Sequence, residues 1–219
     1  MDVAGFKKTF AIDQGTVLGM DALFQALFNA PLTDPKRDGI CTGLSMIWLA
    51  RRMMFHKEDA TLRAEALSGT KGGAAFRWGG KTQDTHLNAG TGSGTIEQQF
   101  QAMYGEALKP YVLRIKTGTA KIVTYTDENG TATAFSGDVS KPGRYILYNL
   151  GLRTTTGSAG HMVASYASKG KHFYFFDPNM GEYKIGSGEV QTFLKGFFGA
   201  YLKVFQGINY FSDFEVVRG

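Results

Sequence analysis

Hydrophobic residues repeat at one period before Pro110 and at another after it, and few folds accommodate both. Upstream the spacing is helical. Leu18, Ala22, Leu23, Ala26 and Leu27 share one face of a helix expected over Val17–Asn29. Leu44, Ile47, Trp48 and Phe55 share a face of another that starts near Cys41. Lys57–Leu67 and Thr95–Leu108 read as two more helices. Downstream, Tyr111–Ile115, Lys121–Thr126, Arg144–Leu150, His161–Ala167, His172–Asp177, Glu182–Ile185 and Asn209–Val217 read as strands, with one helix over Glu189–Val204. Asp127-Glu128-Asn129-Gly130 and Ser168-Lys169-Gly170 carry turn chemistry. Helices first and antiparallel strands afterwards predict an α+β fold, a helical N-terminal half packed on an antiparallel β-sheet. A chain of 219 residues with no internal repeat fits one domain spanning 1–219.

Between Ser68 and Gly94 fall eight of the 29 glycines and few large aliphatic residues. That composition predicts a long mobile loop bordering the functional cleft. Pro31 and Pro35 predict a stiff segment ahead of Gly39.

There is a single cysteine, Cys41, so no intramolecular disulfide can form and a thiolate zinc site is excluded. No metal or organic cofactor is implied. Cys41 follows Gly39-Ile40 and opens an apolar helix. Unpaired N–H groups and the helix dipole favour a thiolate there, whereas a packing cysteine belongs inside the stripe beside Leu44. A thiol nucleophile needs a base. Of four histidines, His56 ends the Cys41 helix, out of reach, and His86 falls in the glycine-rich stretch. His172 sits near a hairpin loop. His161 begins a strand whose hairpin partner ends at Asp177. A three-residue loop over Ser168-Lys169-Gly170, with Gly170 left-handed, sets His161 directly opposite Asp177 on one face. A two-residue loop would turn Asp177 to the other face. In the first geometry the carboxylate orients the imidazole and the imidazole takes the thiol proton.

Three blocks, Gly39-Ile40-Cys41 with Leu44-Ser45 and Trp48-Leu49, Gly160-His161-Met162-Val163, and Phe176-Asp177-Pro178-Asn179 with Gly181-Glu182, resemble those of the YopT-type cysteine peptidases. Their order and their spacings of 120 and 16 residues agree with that family as well. The resemblance implies a papain-like fold and a Cys41–His161–Asp177 triad. It also implies a secreted bacterial effector or toxin domain that cleaves a host protein in the host cytosol. Glutamine deamidation or acyl transfer on the same scaffold uses the same triad, and a non-catalytic binding module on that scaffold stays open. One departure stands out. Papain-like enzymes carry an Asn or Gln shortly before the cysteine to hold the oxyanion, and Ala30–Ile40 contains neither. Asn29 and Gln14 are the substitutes at hand.

The net charge of +5, with no block of like charges, is compatible with weak contact to an acidic membrane surface and predicts no nucleic-acid role. Met1–Phe10 lacks the apolar core of a classical secretory signal. A non-cleaved export signal would leave no such mark. Gly80-Lys81-Thr82 is missing the first glycine of a phosphate-binding loop, and Gly90–Gly94 follows no strand, so both are loop sequence rather than nucleotide motifs.

Overall fold

The computed structural model describes residues 1–15, 39–68, 73–90 and 92–219. The helix expected over Val17–Asn29, the proline segment and Asn29 lie outside them. In chain order the elements are β1 (Lys8–Ala11), α1 (Cys41–Met54), α2 (Ala60–Leu67), α3 (Gly73–Leu87), α4 (Ile96–Leu108), β2 (Leu113–Ile115) and β3 (Lys121–Thr124). There follow α5 (Glu128–Val139), β4 (Tyr145–Arg153), β5 (Ser158–Ala167), β6 (His172–Asp177), β7 (Gly181–Gly186), α6 (Val190–Leu202) and β8 (Gly207–Arg218). The eight strands form one sheet of order β1-β7-β6-β5-β4-β8-β2, with β3 also on β8, and every pairing is antiparallel. The α+β expectation holds.

Both faces of the sheet are covered. Leu147, Met162, Ala164, Phe176 and Phe214 pack under the helical layer that carries Cys41, Leu44, Trp48, Leu67 and Tyr104. Tyr148, Val163, Phe173, Phe175 and Phe211 pack under α5 and α6. Double coverage explains why β6 reads His-Phe-Tyr-Phe-Phe-Asp rather than alternating: Phe173 and Phe175 enter one core, Phe176 the other.

Two expectations are overturned. Gly73–Leu87 is helix α3, not part of a mobile loop. Its glycines serve a close helix crossing, since a Cβ on Gly43 of α1 would lie 2.1 Å from the Gly79 carbonyl oxygen. Asp127–Gly130 is not a hairpin turn. Asp127 caps α5 by accepting from the Gly130 N–H at 2.7 Å, and Ala132, Phe135 and Val139 form a narrow buried stripe behind it. The helix expected over Lys57–Leu67 begins only at Ala60, because Asp59 caps it by accepting from the Leu62 N–H, and Thr95 and Gln98 close a capping box on α4. Tyr111 belongs to a short 3₁₀ turn, and β2 begins at Leu113.

A buried carboxylate ties the helical layer to the sheet. Glu182 of β7 is fully buried. It accepts from Trp48 Nε1 at 2.7 Å, Arg63 Nε at 2.8 Å and Nη2 at 3.0 Å, and Thr9 Oγ1 at 2.8 Å, while Arg52 Nη2 lies 2.8 Å away. Burial pushes its pKa up, but the two guanidinium groups hold it below the ordinary value. The block containing Gly181-Glu182 is thus partly structural. Gly181 has φ +117°, and a Cβ there would meet the Phe10 carbonyl oxygen of β1 at 2.1 Å.

Candidate active site

Cys41 is the first residue of α1. The preceding residue, Ile40, gives the helix no side-chain cap, and its first turn holds no acidic residue. The positive end of the helix dipole is therefore left for the thiol. Two glutamines take the nearby backbone donors instead. Gln83 of α3 accepts from the Thr42 N–H at 3.0 Å, and Gln14, just past β1, accepts from the Ile40 N–H at 2.9 Å. Ser45, one turn on, donates to the Met162 carbonyl at 2.9 Å and pins α1 to β5.

The β5–β6 ladder ends at Ala164–Phe176, and β5 continues towards Ser158 along β4. His161 lies in that continuation. Its Nε2 is 3.1 Å from Asp177 Oδ1. A carboxylate only accepts, so Nε2 carries the proton and Nδ1 is left for the thiol. Asp177 has further donors. Tyr201 of α6 gives its hydroxyl proton to Oδ2 at 2.7 Å, and the Asn179 N–H reaches Oδ1 at 2.6 Å. The Tyr201 ring also lies against His161, with centroids 5.3 Å apart.

The structure thus brings together the three residues singled out from sequence, though by a different register. The hairpin loop is Lys169-Gly170-Lys171, closed by Ser168 N–H to the His172 carbonyl, and the left-handed residue is Lys171 at φ +68° rather than Gly170. Ala167 faces Phe173 and Ala164 faces Phe176. His161 and Asp177 are offset by two positions instead of directly opposed, a diagonal contact on the same face. His56 and His172 are exposed. His86 lines the cleft on α3, stacked 4.7 Å from Tyr104 with Nδ1 3.2 Å from the Met103 carbonyl, and burial lowers its pKa. Asn179, Tyr201 and Gln83 escaped the sequence reading. Asn179 stands in the third sequence block with no role of its own there, and nothing local distinguishes the other two.

Electrostatics sets the protonation states. Burial pushes the Cys41 thiol up, but the His161 hydrogen bond and charge, with the Met162 N–H, bring it net below its ordinary value. Burial pushes His161 down, and the Asp177 carboxylate and the thiol overcome it, so the imidazolium is favoured. Both shifts act towards a thiolate–imidazolium pair. It opens on a cleft of about 610 Å³ lined by Gln14, Gln83, Tyr104, Asn149 and Tyr210 among others. Among the described residues no cluster of side chains could hold a metal ion, and no helix is long and apolar enough to cross a membrane.

The profile of the Yersinia/Haemophilus virulence surface antigen family, Peptidase_C58, matches residues 16–211. Among solved structures, the crystal structure of the Pseudomonas avirulence protein AvrPphB is similar. Its TM-score is 0.66 at 22% identity, over 84% of this chain and 95% of that one. That likeness supports the papain-like fold. No curated protein matches the sequence.

Proposed function

The chain belongs to the Yersinia/Haemophilus virulence surface antigen family, Peptidase_C58, and is a cysteine peptidase; from that premise we propose that Cys41, His161 and Asp177 are its catalytic triad and that it cleaves a host protein as a bacterial effector. The reading rests chiefly on the polarised array at the α1 N-terminus: thiol against imidazole, and imidazole Nε2 3.1 Å from a carboxylate with two further donors. In the reaction, Cys41 Sγ attacks the scissile carbonyl carbon as the C–S bond forms. His161 then gives its proton to the leaving amine. Water, activated by His161, hydrolyses the thioester. Asp177, acceptor only, keeps the proton on Nε2 and stabilises the imidazolium. Family membership supports host-cell action, and export belongs to the same proposal.

Deamidation of a glutamine side chain would use the same three groups. Mass spectrometry of host-cell proteins exposed to this chain and to Cys41→Ala separates the chemistries. New N-termini that depend on Cys41 are expected. Deamidated glutamines without new termini would overturn proteolysis, and no Cys41-dependent change of either kind would overturn the catalytic reading.

A further inference from the structure

We propose that Gln14 is the side-chain donor of the oxyanion hole, reaching the nucleophile from beyond β1 in place of an amide just ahead of Cys41. The inference rests on the thiol-hydrolase reading above.

The Gln14 carboxamide lies against the backbone that delivers Cys41. Its Oε1 accepts the Ile40 N–H at 2.9 Å. A Cβ on Gly39 would sit 3.1 Å from that oxygen and 3.6 Å from Nε2, so the glycine makes room for the amide. Because a backbone N–H can only donate, this bond fixes which end of the carboxamide is oxygen. Nε2 is then the free end, and it carries two protons. One goes to Asn179 Oδ1 at 2.7 Å. That contact orients Asn179 in turn: its Nδ2 is 3.3 Å from the Tyr201 hydroxyl, which donates to Asp177 Oδ2 at 2.7 Å. Every donor in the chain from Gln14 through Asn179 and Tyr201 points towards Asp177, so no member can reverse without breaking a neighbour. The Gln14 N–H is also held, by the Pro178 carbonyl at 2.8 Å.

The second Nε2 proton has no partner among the described residues. Gln14 is 8% exposed and lines the same cleft as Cys41 and His161. Cys41 supplies another donor. As the first residue of α1, its N–H has no intrahelical acceptor. When Sγ bonds to a carbonyl carbon, the π pair moves onto oxygen. Two fixed N–H groups stabilise that charge until it returns and expels the leaving group.

The assignment separates two reactions of one thiol. Acylation by p-nitrophenyl acetate passes through an oxyanion, whereas alkylation by iodoacetamide displaces iodide and forms none. In this chain, Gln14→Met should slow acylation by about ten- to a hundredfold while alkylation stays within about twofold. Equal loss of both rates, or loss of neither, overturns the assignment. A second measurement uses the unsubstituted chain: adding acetyl-Leu-Leu-norleucinal should shift a side-chain amide proton of Gln14 downfield as the hemithioacetal forms, and an unmoved signal overturns it as well. An unsubstituted chain that is alkylated but accepts no acyl group overturns the hydrolase reading itself, a result distinct from an insensitive Gln14 variant.

Discussion

Replacing Gly43 by alanine should force α1 and α3 apart. A Cβ at that position falls 2.1 Å from the Gly79 carbonyl oxygen and 2.5 Å from its carbonyl carbon and Cα. These are backbone atoms, with no rotamer to yield, so contact at normal radii requires the helices to separate by about 1 Å. Two effects compete. Alanine is favoured over glycine inside a helix by about 1 kcal/mol. Overpacking a close contact costs about 1–3 kcal/mol, and a backbone-to-backbone clash belongs at the upper end. The Gln83 bond to the Thr42 N–H spans the same crossing and would stretch with it. A net loss of about 1–2 kcal/mol is expected, two residues from Cys41. The reciprocal substitution behaves differently. A Cβ on Gly79 meets the Gly43 carbonyl carbon and Ile47 Cδ1 at 3.7 Å and the Leu44 nitrogen at 3.8 Å, all ordinary contacts. There the propensity term wins, and Gly79→Ala should gain about 0.5–1 kcal/mol. Urea unfolding of both variants, with equal m-values, reads the two signs. Unchanged stability in Gly43→Ala, or equal losses in the pair, would refute a close crossing of α1 and α3.

Other substitutions test the electrostatics. Arg63→Met leaves the buried Glu182 carboxylate short of its best-bonded partner and should cost about 3–5 kcal/mol in urea unfolding; a loss below about 1 kcal/mol would show the pair to be dispensable. Burial raises Asp213 to about 7, against the nearby cations Lys121 and Arg144, so the folded state binds its proton more tightly than the unfolded chain. That stabilisation is complete below the unfolded value of 3.8 and lost as pH rises through about 7; Asp213→Asn should therefore gain up to roughly 4 kcal/mol over the parent at pH 8 and little at pH 4, and a gain independent of pH would contradict it. Iodoacetamide should alkylate native Cys41 well below the pH at which an ordinary thiol reacts, and His161→Ala should abolish that advantage while His172→Ala leaves it; slow alkylation in all three would mean a cysteine serving only packing. Tyr201→Phe keeps the ring against His161 but removes a donor from Asp177, so peptide turnover should fall about tenfold with alkylation nearly unchanged; equal effects on both would mark the hydroxyl as merely structural.

The strands were legible because a period of two survives in β2 and β3, and because β6 is apolar on both sides for a reason its doubly covered position supplies. Two helices were hidden by residues with double meanings. In α3, glycine is a helix breaker when read locally and a spacer when another helix crosses it, and only Gly43 against Gly79 reveals which. In α5, Asp127 begins a turn or caps a helix with the same side-chain bond. The three apolar residues behind it, Ala132, Phe135 and Val139, are too few to announce a period without α6 to pack against.

The site shows which kind of information a sequence holds. That His161 and Asp177 share a face depends only on parity, and parity is unchanged when a hairpin slides by two positions. The loop did slide: Lys171 rather than Gly170 took the left-handed conformation, and the direct pair became a diagonal one. Hydrogen bonding absorbed the difference, because an imidazole and a carboxylate on the same face reach each other from either position. A slide by one would have put Asp177 in the opposite core, and no side chain is long enough to correct that. Groups such as Tyr201, Gln83 and Gln14 obey no such rule. They come from other elements, and each meets the site only through the packing of helices on the sheet or the pairing of β1 with β7. The proposed triad could therefore be named before the fold was known, whereas Gln14 stood only as one of two candidates, and Tyr201 and Gln83 required the fold.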